Sequence, residues 1–425
     1  MRATSLLLTG GALLAATPGA LASGFQVNLN GQKNNGMGGT GTALALDQAA
    51  QFYNPGAFVF VQGNGVQGNL NMAIPRISFR GDGGSSQETL QNKNVFPFNG
   101  YAGYSVTDKF KVGVGAYTPF GSELHYQPNW TGRYTLTDIN LRSVFLQGTL
   151  SYAITPKLGI GAGVVVLAYG DVDLQRDVPL QSQGSTGQFH AQLTGKAEHK
   201  VGYNVGIFYK PSDLISIGAS YRSAIDAHVS GGDLTLTNKP TNATIANNFT
   251  ATNFDVTLPL PDVYSFGLGF HPTERLTVAI DANLVRWSRY QSLDFTYTGG
   301  VLGGPGVTSS SSKRQYKDAF AIRVGGQYKF GDHFTLRGGA FYDDSCVKDG
   351  FVTPETPDAS RIGLTGGFTY AVNDHFGLDG SFLFEDFMQR SQTQDDLVAN
   401  GTTDRVAGTY KTTIAVPGVG LYVKF

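Results

Sequence analysis

The segment VGYNVGIFYK, residues 201–210, alternates large apolar side chains with small or polar ones. On an extended strand the large side chains share one face, which consists of Val201, Tyr203, Val205, Ile207 and Tyr209. The opposite face consists of Gly202, Asn204 and Gly206. A soluble sheet usually carries charged residues on its solvated face, whereas an apolar outer face against a small, uncharged inner face is typical of a transmembrane β-barrel. The segment RIGLTGGFTYAV, residues 361–372, repeats the pattern, so we predict an all-β fold with lipid-facing strands.

Short and long connections alternate along the chain. The short ones are residues 107–109, 155–157, 211–213, 272–275, 331–333 and 373–375, and each joins two strand-like runs. The long polar ones include residues 177–198, 231–257, 299–313 and 343–360. The hairpins, together with a first strand after Gly56 and a last strand ending at the aromatic Phe425, give about fourteen antiparallel strands, an even number typical of bacterial barrels.

The composition excludes several classes of protein. Lys and Arg total 31 against 32 Asp and Glu, so no net charge attracts nucleic acid. A single cysteine, Cys346, excludes an internal disulfide framework and a cysteine-based zinc site. Residues 1–22 combine an apolar run with the cleavage pattern Ala20-Leu21-Ala22, which predicts a signal peptide and export. No later window has the ~18 continuous apolar residues that a membrane helix needs.

Residues 23–56 form a glycine- and amide-rich segment that precedes the first predicted strand. A barrel of about fourteen strands has a lumen wide enough to pass water unless something fills it. Glycines and amides suit a polar lumen, because their polar groups find hydrogen-bond partners there. We therefore predict a plug (hatch) at residues 23–56, with a small helix over residues 43–50, and a barrel over residues 57–425. Asn54, Pro55 and Gly56 would stop the helix and turn the chain into the first strand.

Several motifs resemble those of the FadL-type outer-membrane transporters of long-chain fatty acids and other hydrophobic compounds. Gly24-Phe25-Gln26 matches the Gly-Phe-Gln with which the family's mature chains begin, and Asn54-Pro55 matches its Asn-Pro-Ala motif, with Gly56 in place of the alanine. Further similar segments cover nearly the whole chain; they are GYNVGIFYK, YRS at residues 221–223, LPLPDVYSFGLGF, WSRYQSL, YKDAFAIRVG and LRGGAFYDDS.

The resemblance implies a monomeric, fourteen-stranded barrel of the bacterial outer membrane that is plugged by its N-terminal segment. Cargo would pass from an outer apolar groove to a binding site that includes Phe25, and would leave sideways into membrane lipid at a kink in the third strand. The sequence supports a kink at Pro119, Phe120 and Gly121, because proline removes a ladder donor and glycine tolerates a bulge. Pro119 is also consistent with a strand that simply ends there.

A fatty acid needs an apolar slot with one or two cations near one end. The family places a basic residue in the fifth strand, where this chain has Arg176. It places a second one shortly before the YKDAF motif, where this chain has Lys313 and Arg314. The resemblance thus implies that these residues bind the carboxylate, although Arg176 is equally consistent with a surface cation paired with Asp173 or Asp177.

Other functions stay open. Neutral aromatic or aliphatic hydrocarbons are the alternative cargo, since relatives of the family share a fold and differ in cargo. A diffusion porin would need an open lumen with a charged constriction, and an outer-membrane lipid enzyme would need a serine or histidine facing the headgroups, neither of which the sequence marks. A soluble β-sandwich or propeller would not explain the regular hairpins. We expect no metal. We also expect no cofactor, since the dinucleotide-type glycine motif at residues 36–41 lacks a flanking strand and helix.

Overall fold

The computed structural model describes residues 24–91, 93–180, 184, 186–402 and 404–425. The predicted signal peptide, residues 1–22, lies outside the described residues, as does Ser23.

The described residues form a closed antiparallel β-barrel of fourteen strands, as the sequence predicts. The strand segments are β1 (Gly65–Asn71), β2 (Ile74–Gly81), β3 (Glu88–Thr89), β4 (Phe98–Thr107), β5 (Phe110–Tyr117), β6 (Gly121–His125), β7 (Asp138–Thr155), β8 (Leu158–Pro179), β9 (Gln188–Lys196), β10 (Lys200–Tyr209), β11 (Ile215–Arg222), β12 (Ile225–Thr237), β13 (Asn253–Leu260), β14 (Val263–Phe270), β15 (Leu276–Val285), β16 (Ser292–Thr298), β17 (Ser309–Lys313), β18 (Ala319–Phe330), β19 (Phe334–Asp343), β20 (Arg361–Ala371), β21 (Phe376–Phe387), β22 (Arg390–Gln392) and β23 (Gly408–Lys424). Many barrel strands are interrupted; the third, for example, consists of β5 and β6. The pairing of β1 with β23, in which Gly65 lies opposite Lys424, closes the barrel.

The alternation predicted for residues 201–210 is confirmed. Val201 and Tyr203 are 70% and 52% exposed on the outer face, whereas Asn204 beside them is 2% exposed and faces inward. Each of the six short connections joins two consecutive, directly paired strands, for example β10 to β11 and β20 to β21. Because the short turns share one end of the barrel, the long loops gather at the other end, which is the arrangement of an outer-membrane barrel.

A one-residue bulge in β8 reverses which side chains face inward. Val144 of β7 lies opposite Tyr169, but the next residue, Phe145, lies opposite Leu167, so Ala168 is left unpaired. Below the bulge odd-numbered residues of β8 face the interior, and Leu167 is 1% exposed. Above it Tyr169 is 41% exposed, and the even-numbered residues face inward instead. An extra residue has this effect because side chains alternate with a period of two.

The N-terminal segment, residues 24–61, packs against inward-facing residues around the barrel wall. It contains α1 (Gln32–Asn35), α2 (Ala50–Tyr53) and a 3₁₀ turn at Phe58–Phe60. The prediction of a helix over residues 43–50 is wrong, since the helix begins where that range ends. The wall satisfies backbone groups within this range: the Ser216 hydroxyl donates to the carbonyl oxygen of Ala43 at 2.8 Å, and the Gln48 N–H donates to the Gln67 side-chain oxygen at 2.9 Å. Just before it, the N–H groups of Gly41 and Thr42 both donate to the Asp281 carboxylate at 2.8 Å.

The outer end of the lumen is covered by the loop of residues 344–360, which folds inward between β19 and β20. Cys346 and Val352 in this loop are 0% and 1% exposed. The Tyr126 hydroxyl donates to the carbonyl oxygen of Pro354 at 2.9 Å and fixes the loop to the strand 3 side of the barrel. Two other long loops carry α3 (Ala243–Ala246) and α4 (Gln394–Asn400). Within the described ranges, no helix is long and apolar enough to cross a membrane.

Candidate functional site: an apolar pocket, an outer groove and a broken strand

The third barrel strand is interrupted. Its lower segment, β5, ends at Tyr117, and its upper segment, β6, begins at Gly121. The strand therefore resumes beyond Pro119 and does not end there. Phe120, in the break, pairs with Gln26 of the N-terminal segment through an isolated antiparallel bridge. The break thus has a backbone partner inside the barrel.

Two hydrogen bonds define this pairing. The Val27 N–H donates to the carbonyl oxygen of Pro119 at 2.7 Å, and the Gly121 N–H donates to the carbonyl oxygen of Phe25 at 2.9 Å. The N-terminal segment therefore satisfies polar backbone groups that a continuous strand would have paired with its neighbour. If either the N-terminal segment or the break moved away, these backbone groups would lose their hydrogen-bond partners.

Phe25 places its ring among aromatic side chains of the segment between β15 and β16. The ring is 4% exposed and lies 6.3 Å, centroid to centroid, from each of Trp287 and Tyr290. Gly24 precedes it in the left-handed region, with φ of +67°. A Cβ on Gly24 would lie 2.7 Å from the Trp287 ring, so only glycine fits this approach.

Phe25 also lines a deep apolar pocket with about 880 Å³ of empty space, part of which is open to solvent. Its walls come from β7, β8, β12 and β13 together with the aromatic segment after β15. The apolar lining includes Phe120, Ile139, Leu141, Leu167, Val172, Leu174, Leu193, Val229, Phe254, Val256, Leu258, Leu260, Tyr290, Leu293 and Phe295. A pocket of this size and lining suits an extended hydrocarbon chain or a ring compound.

An ion pair lies at one end of this pocket. The two terminal nitrogens of Arg314 lie 3.3 and 3.4 Å from the two carboxylate oxygens of Glu355 in the loop of residues 344–360. Both side chains are nearly buried, at 5% and 11% exposure. The third guanidinium nitrogen, Nε of Arg314, is buried and has no hydrogen-bond partner among the described residues. The arrangement leaves one buried donor unsatisfied beside the pocket.

Burial and charge oppose each other in this pair. Burial alone would raise the pKa of the Glu355 carboxyl, but the Arg314 guanidinium, the Thr353 hydroxyl and Arg405 hold that pKa below its usual value. Burial likewise disfavours the charged form of Arg314, and Glu355 outweighs this effect and raises the pKa of the guanidinium. Both partners are therefore charged at neutral pH.

A wider groove lies outside the deep pocket, with about 1340 Å³ of empty space that includes open solvent. Arg176, Lys313 and Arg314 all line it, so the structure brings together the three cations that the sequence singled out. Arg314 and Glu355 line both the groove and the deep pocket. These two side chains therefore mark the passage from one to the other.

Arg176 has no acidic partner among the described residues. Asp177 pairs instead with His190 at 3.1 Å, and Asp173 accepts hydrogen bonds from Gln175 and Gln192. The bulge at residue 168 explains the difference, because above it the even-numbered residues of β8 face the groove and the odd-numbered aspartates face away. The alternative of a surface cation paired with a neighbouring aspartate is not what the structure shows.

The motif Asn54-Pro55-Gly56 fixes the end of the N-terminal segment to the wall. The Asn54 amide is fully buried and donates to the carbonyl oxygens of Thr42 and Ile207 at 2.7 and 2.9 Å. Its oxygen accepts from the Gly56 N–H at 2.9 Å. A Cβ on Gly56 would lie 2.7 Å from the carbonyl oxygen of Gly206, so the close contact with the wall explains glycine at this position.

Sequence reasoning did not find Glu355, Trp287 or Tyr290. Trp287 and Tyr290 belong to the WSRYQSL motif, which was recognised as a resemblance without a role. Glu355 lies in a long loop without periodicity, and its pairing with Arg314 spans 41 residues of sequence. The described residues contain no group of three or more His, Cys, Asp or Glu side chains that could hold a metal ion.

Comparisons with known proteins agree with this architecture. Residues 13–425 match the family described as "Outer membrane protein transport protein (OMPP1/FadL/TodX)". The "Long-chain fatty acid transport protein" of Escherichia coli is 23% identical over 390 residues, which cover 85% of this chain and 86% of that protein. A Pseudomonas aeruginosa FadL homologue superimposes with a TM-score of 0.81 at 20% identity, over 95% of this chain and 100% of that one. The Pseudomonas putida toluene transporter TodX gives a TM-score of 0.70 at 19% identity, over 95% and 100%. At these identities the structural similarities show a shared fold.

Proposed function

This chain belongs to the outer membrane protein transport family (OMPP1/FadL/TodX), whose members are outer-membrane transport channels for hydrophobic compounds and not enzymes, and from this premise we propose its route, gate and cargo. Hydrophobic small molecules enter the outer groove, pass into the deep apolar pocket and leave sideways through the break in the third barrel strand into outer-membrane lipid. The movement is passive diffusion down a concentration gradient. In this proposal the protein acts as a monomer, whose single chain closes the barrel by pairing β1 with β23.

The observation that carries this route is the continuity of three cavities. The outer groove and the deep pocket share Leu293 as well as the Arg314–Glu355 pair. The deep pocket in turn shares Phe120 and Leu260 with a smaller cavity beside the break, which has about 280 Å³ of empty space. Each step therefore moves an apolar molecule between surfaces that are already adjacent.

The N-terminal segment serves as the plug and as the gate. Residues 24–56 occupy the lumen below the pocket, so straight passage to the periplasm is blocked, while the bridge from Gln26 to Phe120 holds the break in place. Phe25 responds to the cargo because it lines the pocket, and its own carbonyl oxygen pairs with Gly121. Cargo that displaces the Phe25 ring thereby loosens the backbone pairing at the break.

The first candidate cargo is a long-chain fatty acid. Its hydrocarbon chain fits the apolar pocket, and its carboxylate finds Arg176 and Lys313 in the groove, neither of which is paired with a carboxylate among the described residues. Charge-assisted hydrogen bonds of this type are stronger than bonds between neutral groups. The similarity to the E. coli fatty acid transport protein supports the same class.

A second candidate is a neutral aromatic or aliphatic hydrocarbon. Arg314 already has a carboxylate partner in Glu355, so the cation nearest the deep pocket is neutralised within the protein. A cargo without charge would need neither group. The likeness in fold to a toluene transporter is compatible with this class but carries no information on cargo.

The test is displacement of a fluorescent fatty acid from purified protein in detergent by oleate and by 1-octadecene. The comparison uses the wild type, Arg176→Ala and, as a matched control, Arg80→Ala, which removes an exposed cation outside the groove. A fatty acid cargo predicts that oleate competes far better than octadecene and that Arg176→Ala alone reduces this preference. Equal competition by both compounds in all three proteins would assign the cargo to the hydrocarbon class.

Single-channel conductance in a planar bilayer distinguishes the plugged transporter from a diffusion porin. The plugged barrel predicts no steady ionic conductance for the wild type. A large, constant conductance would contradict the plug and the sideways route together.

A further inference from the structure

We propose that Arg222 forms a second carboxylate-binding site, at the inner end of the cargo route beside the broken strand. This inference rests on the proposed function, since it concerns a cargo with an apolar chain and one carboxylate. The groove cations would bind the carboxylate on entry, and Arg222 would bind it again just before the molecule leaves through the wall.

Arg222 is the last residue of β11 and lies where two cavities meet. It lines the 280 Å³ cavity beside the break together with Tyr117, Pro119 and Phe120. It also lines a polar cavity above the plug, which has about 820 Å³ of empty space. It does not line the deep pocket or the outer groove, so it is a site separate from that of Arg314.

Among the described residues, the charge of Arg222 has no counter-ion. No carboxylate of a described residue lies within 4 Å of its guanidinium. The guanidinium donates instead to the Tyr117 hydroxyl at 2.7 Å, the Phe52 carbonyl oxygen at 2.8 Å and the Gln147 side-chain oxygen at 3.4 Å, all of them neutral. By contrast, Arg323 and Arg361 in the same lumen each contact the carboxylate of Asp343, at 2.8 and 2.5 Å. A cation in a secluded site without a paired anion favours an anionic ligand.

The surroundings match the rest of the ligand. Apart from Arg222 and Ser223, the cavity beside the break is lined mainly by apolar residues, among them Val165, Ile225 and Leu260. Leu260 and Phe120 also line the deep pocket, so a chain whose carboxylate contacts Arg222 has continuous apolar surface for its tail. An amphiphile with one carboxylate fits this combination, whereas a neutral hydrocarbon gains nothing from the cation.

Arg222 also contacts residues of the plug and of the strand that ends at the break. The Phe52 ring of α2 lies 4.2 Å from its guanidinium carbon, and Tyr117 is the last residue of β5 before the break. A carboxylate that binds the Arg222 guanidinium competes with the Tyr117 hydroxyl and the Phe52 carbonyl oxygen for its N–H donors. Arrival of the headgroup is thus coupled to contacts that hold the plug and the strand end together.

The experiment measures uptake of oleate and of 1-octadecene into proteoliposomes by the wild type, Arg222→Gln and Arg222→Lys, with fluorescent fatty acid displacement in detergent as a measure of entry. We expect Arg222→Gln to lower oleate uptake about tenfold or more, the loss of one charge-assisted contact. Octadecene uptake should fall much less than oleate uptake, because a neutral cargo loses no contact with the cation. Oleate should still displace the fluorescent fatty acid, because the groove cations are intact, and Arg222→Lys should retain most of the oleate uptake.

The outcomes separate the two proposals. If the wild type takes up octadecene but not oleate, the fatty acid cargo fails and the Arg222 site fails with it. If the wild type takes up oleate and Arg222→Gln does so equally well, only the Arg222 site is overturned. An equal loss of both cargoes in Arg222→Gln overturns it as well, because Arg222 then acts only as a support for Phe52 and Tyr117.

A second measurement uses only the wild-type protein, so it does not depend on whether a variant assembles. Wild-type protein is loaded with a fatty acid that carries a photoreactive diazirine next to its carboxylate, irradiated and mapped by mass spectrometry. Labels on the residues around Arg222, in particular Tyr117, Phe120 and Ile225, support the site. Labels confined to the groove beside Arg176 and Lys313 overturn it.

Discussion

Gly121 donates its backbone N–H to the carbonyl oxygen of Phe25 at 2.9 Å, and this bond joins the break in the third strand to the N-terminal segment. The same Phe25 contributes its ring to the deep pocket. One residue therefore faces the cargo with its side chain and the wall with its backbone.

Cross-linking the N-terminal segment to the break should stop transport. Gln26 and Phe120 are antiparallel bridge partners, and facing positions of this kind are close enough for a disulfide. In a Cys346→Ser background, we expect Gln26→Cys with Phe120→Cys to lose uptake on oxidation and regain it on reduction. Each single cysteine serves as the control, and uptake that survives complete cross-linking would contradict the gate.

Removing the Phe25 ring should reduce uptake without reducing assembly. The ring lines the pocket and packs 6.3 Å from Trp287, whereas the barrel itself closes through strand pairs that do not involve it. We expect Phe25→Ala, or deletion of residues 24–26, to lower cargo uptake while the heat-dependent gel mobility of the folded barrel stays the same. Normal uptake by either variant would rule out a role for Phe25.

A methyl group on Gly24 should displace the aromatic cluster. Its φ of +67° and the 2.7 Å approach to the Trp287 ring leave no room for a Cβ. We expect Gly24→Ala to shift the tryptophan fluorescence emission to longer wavelength, because Trp287 is otherwise fully buried. The measurement is made in a Trp130→Phe background, so that Trp287 is the single emitter; an unchanged spectrum would show that the cluster adapts.

Acid should weaken the Arg314–Glu355 pair. The folded-state pKa of Glu355 lies below its usual value, so the pair's contribution to the free energy of unfolding is complete above the unfolded-state pKa of ~4.3. That contribution is lost as the pH falls through the folded-state pKa. We expect the unfolding temperature of the wild type to fall in this window, because protonation leaves Arg314 buried without its counter-ion.

The variant Glu355→Gln provides the comparison for this pH dependence. It lacks the titrating carboxyl, so its unfolding temperature should depend less on pH in the same window. At neutral pH it should be less stable than the wild type by about 3–5 kcal/mol, the cost of breaking a buried pair from one side. Parallel pH profiles for the two proteins would show that other carboxylates dominate acid unfolding.

Loss of the Asn54 amide should loosen the plug. Its fully buried side chain donates to Thr42 and Ile207 and accepts from Gly56. Because Asn54→Ala leaves these buried groups unpaired, we expect plug anchoring to weaken by about 1–3 kcal/mol and bursts of ionic conductance to appear in planar bilayers. Asn64→Ala, which alters a residue beyond the plug segment, is the control; silent bilayers for Asn54→Ala would contradict the anchor.

The barrel could be predicted because its determinants are local. Alternation in residues 201–210 and the short turns each depend on neighbours a few positions apart, and both were correct. The helix over residues 43–50 was wrong because side chains distant in sequence, Ser216 and Gln67, hydrogen-bond to the backbone of Ala43 and Gln48 and hold that stretch in another conformation. The partner of Arg314 and the orientation of Arg176 depend on a folded loop and a one-residue bulge. Neither leaves a periodic signal in the sequence.

The bulge at Ala168 also determines how this protein can change over evolutionary time. Below it, substitutions on the outer face of β8 are constrained by lipid, and those on the inner face by the plug. Above it the parity reverses, so the positions that line the groove form an independent set that can be altered without disturbing the membrane-embedded part of the same strand. Loss of the single unpaired residue would turn the groove positions outward and bring the aspartates in. Substitutions can therefore change the selectivity of the outer groove without weakening the wall, although one strand contributes to both.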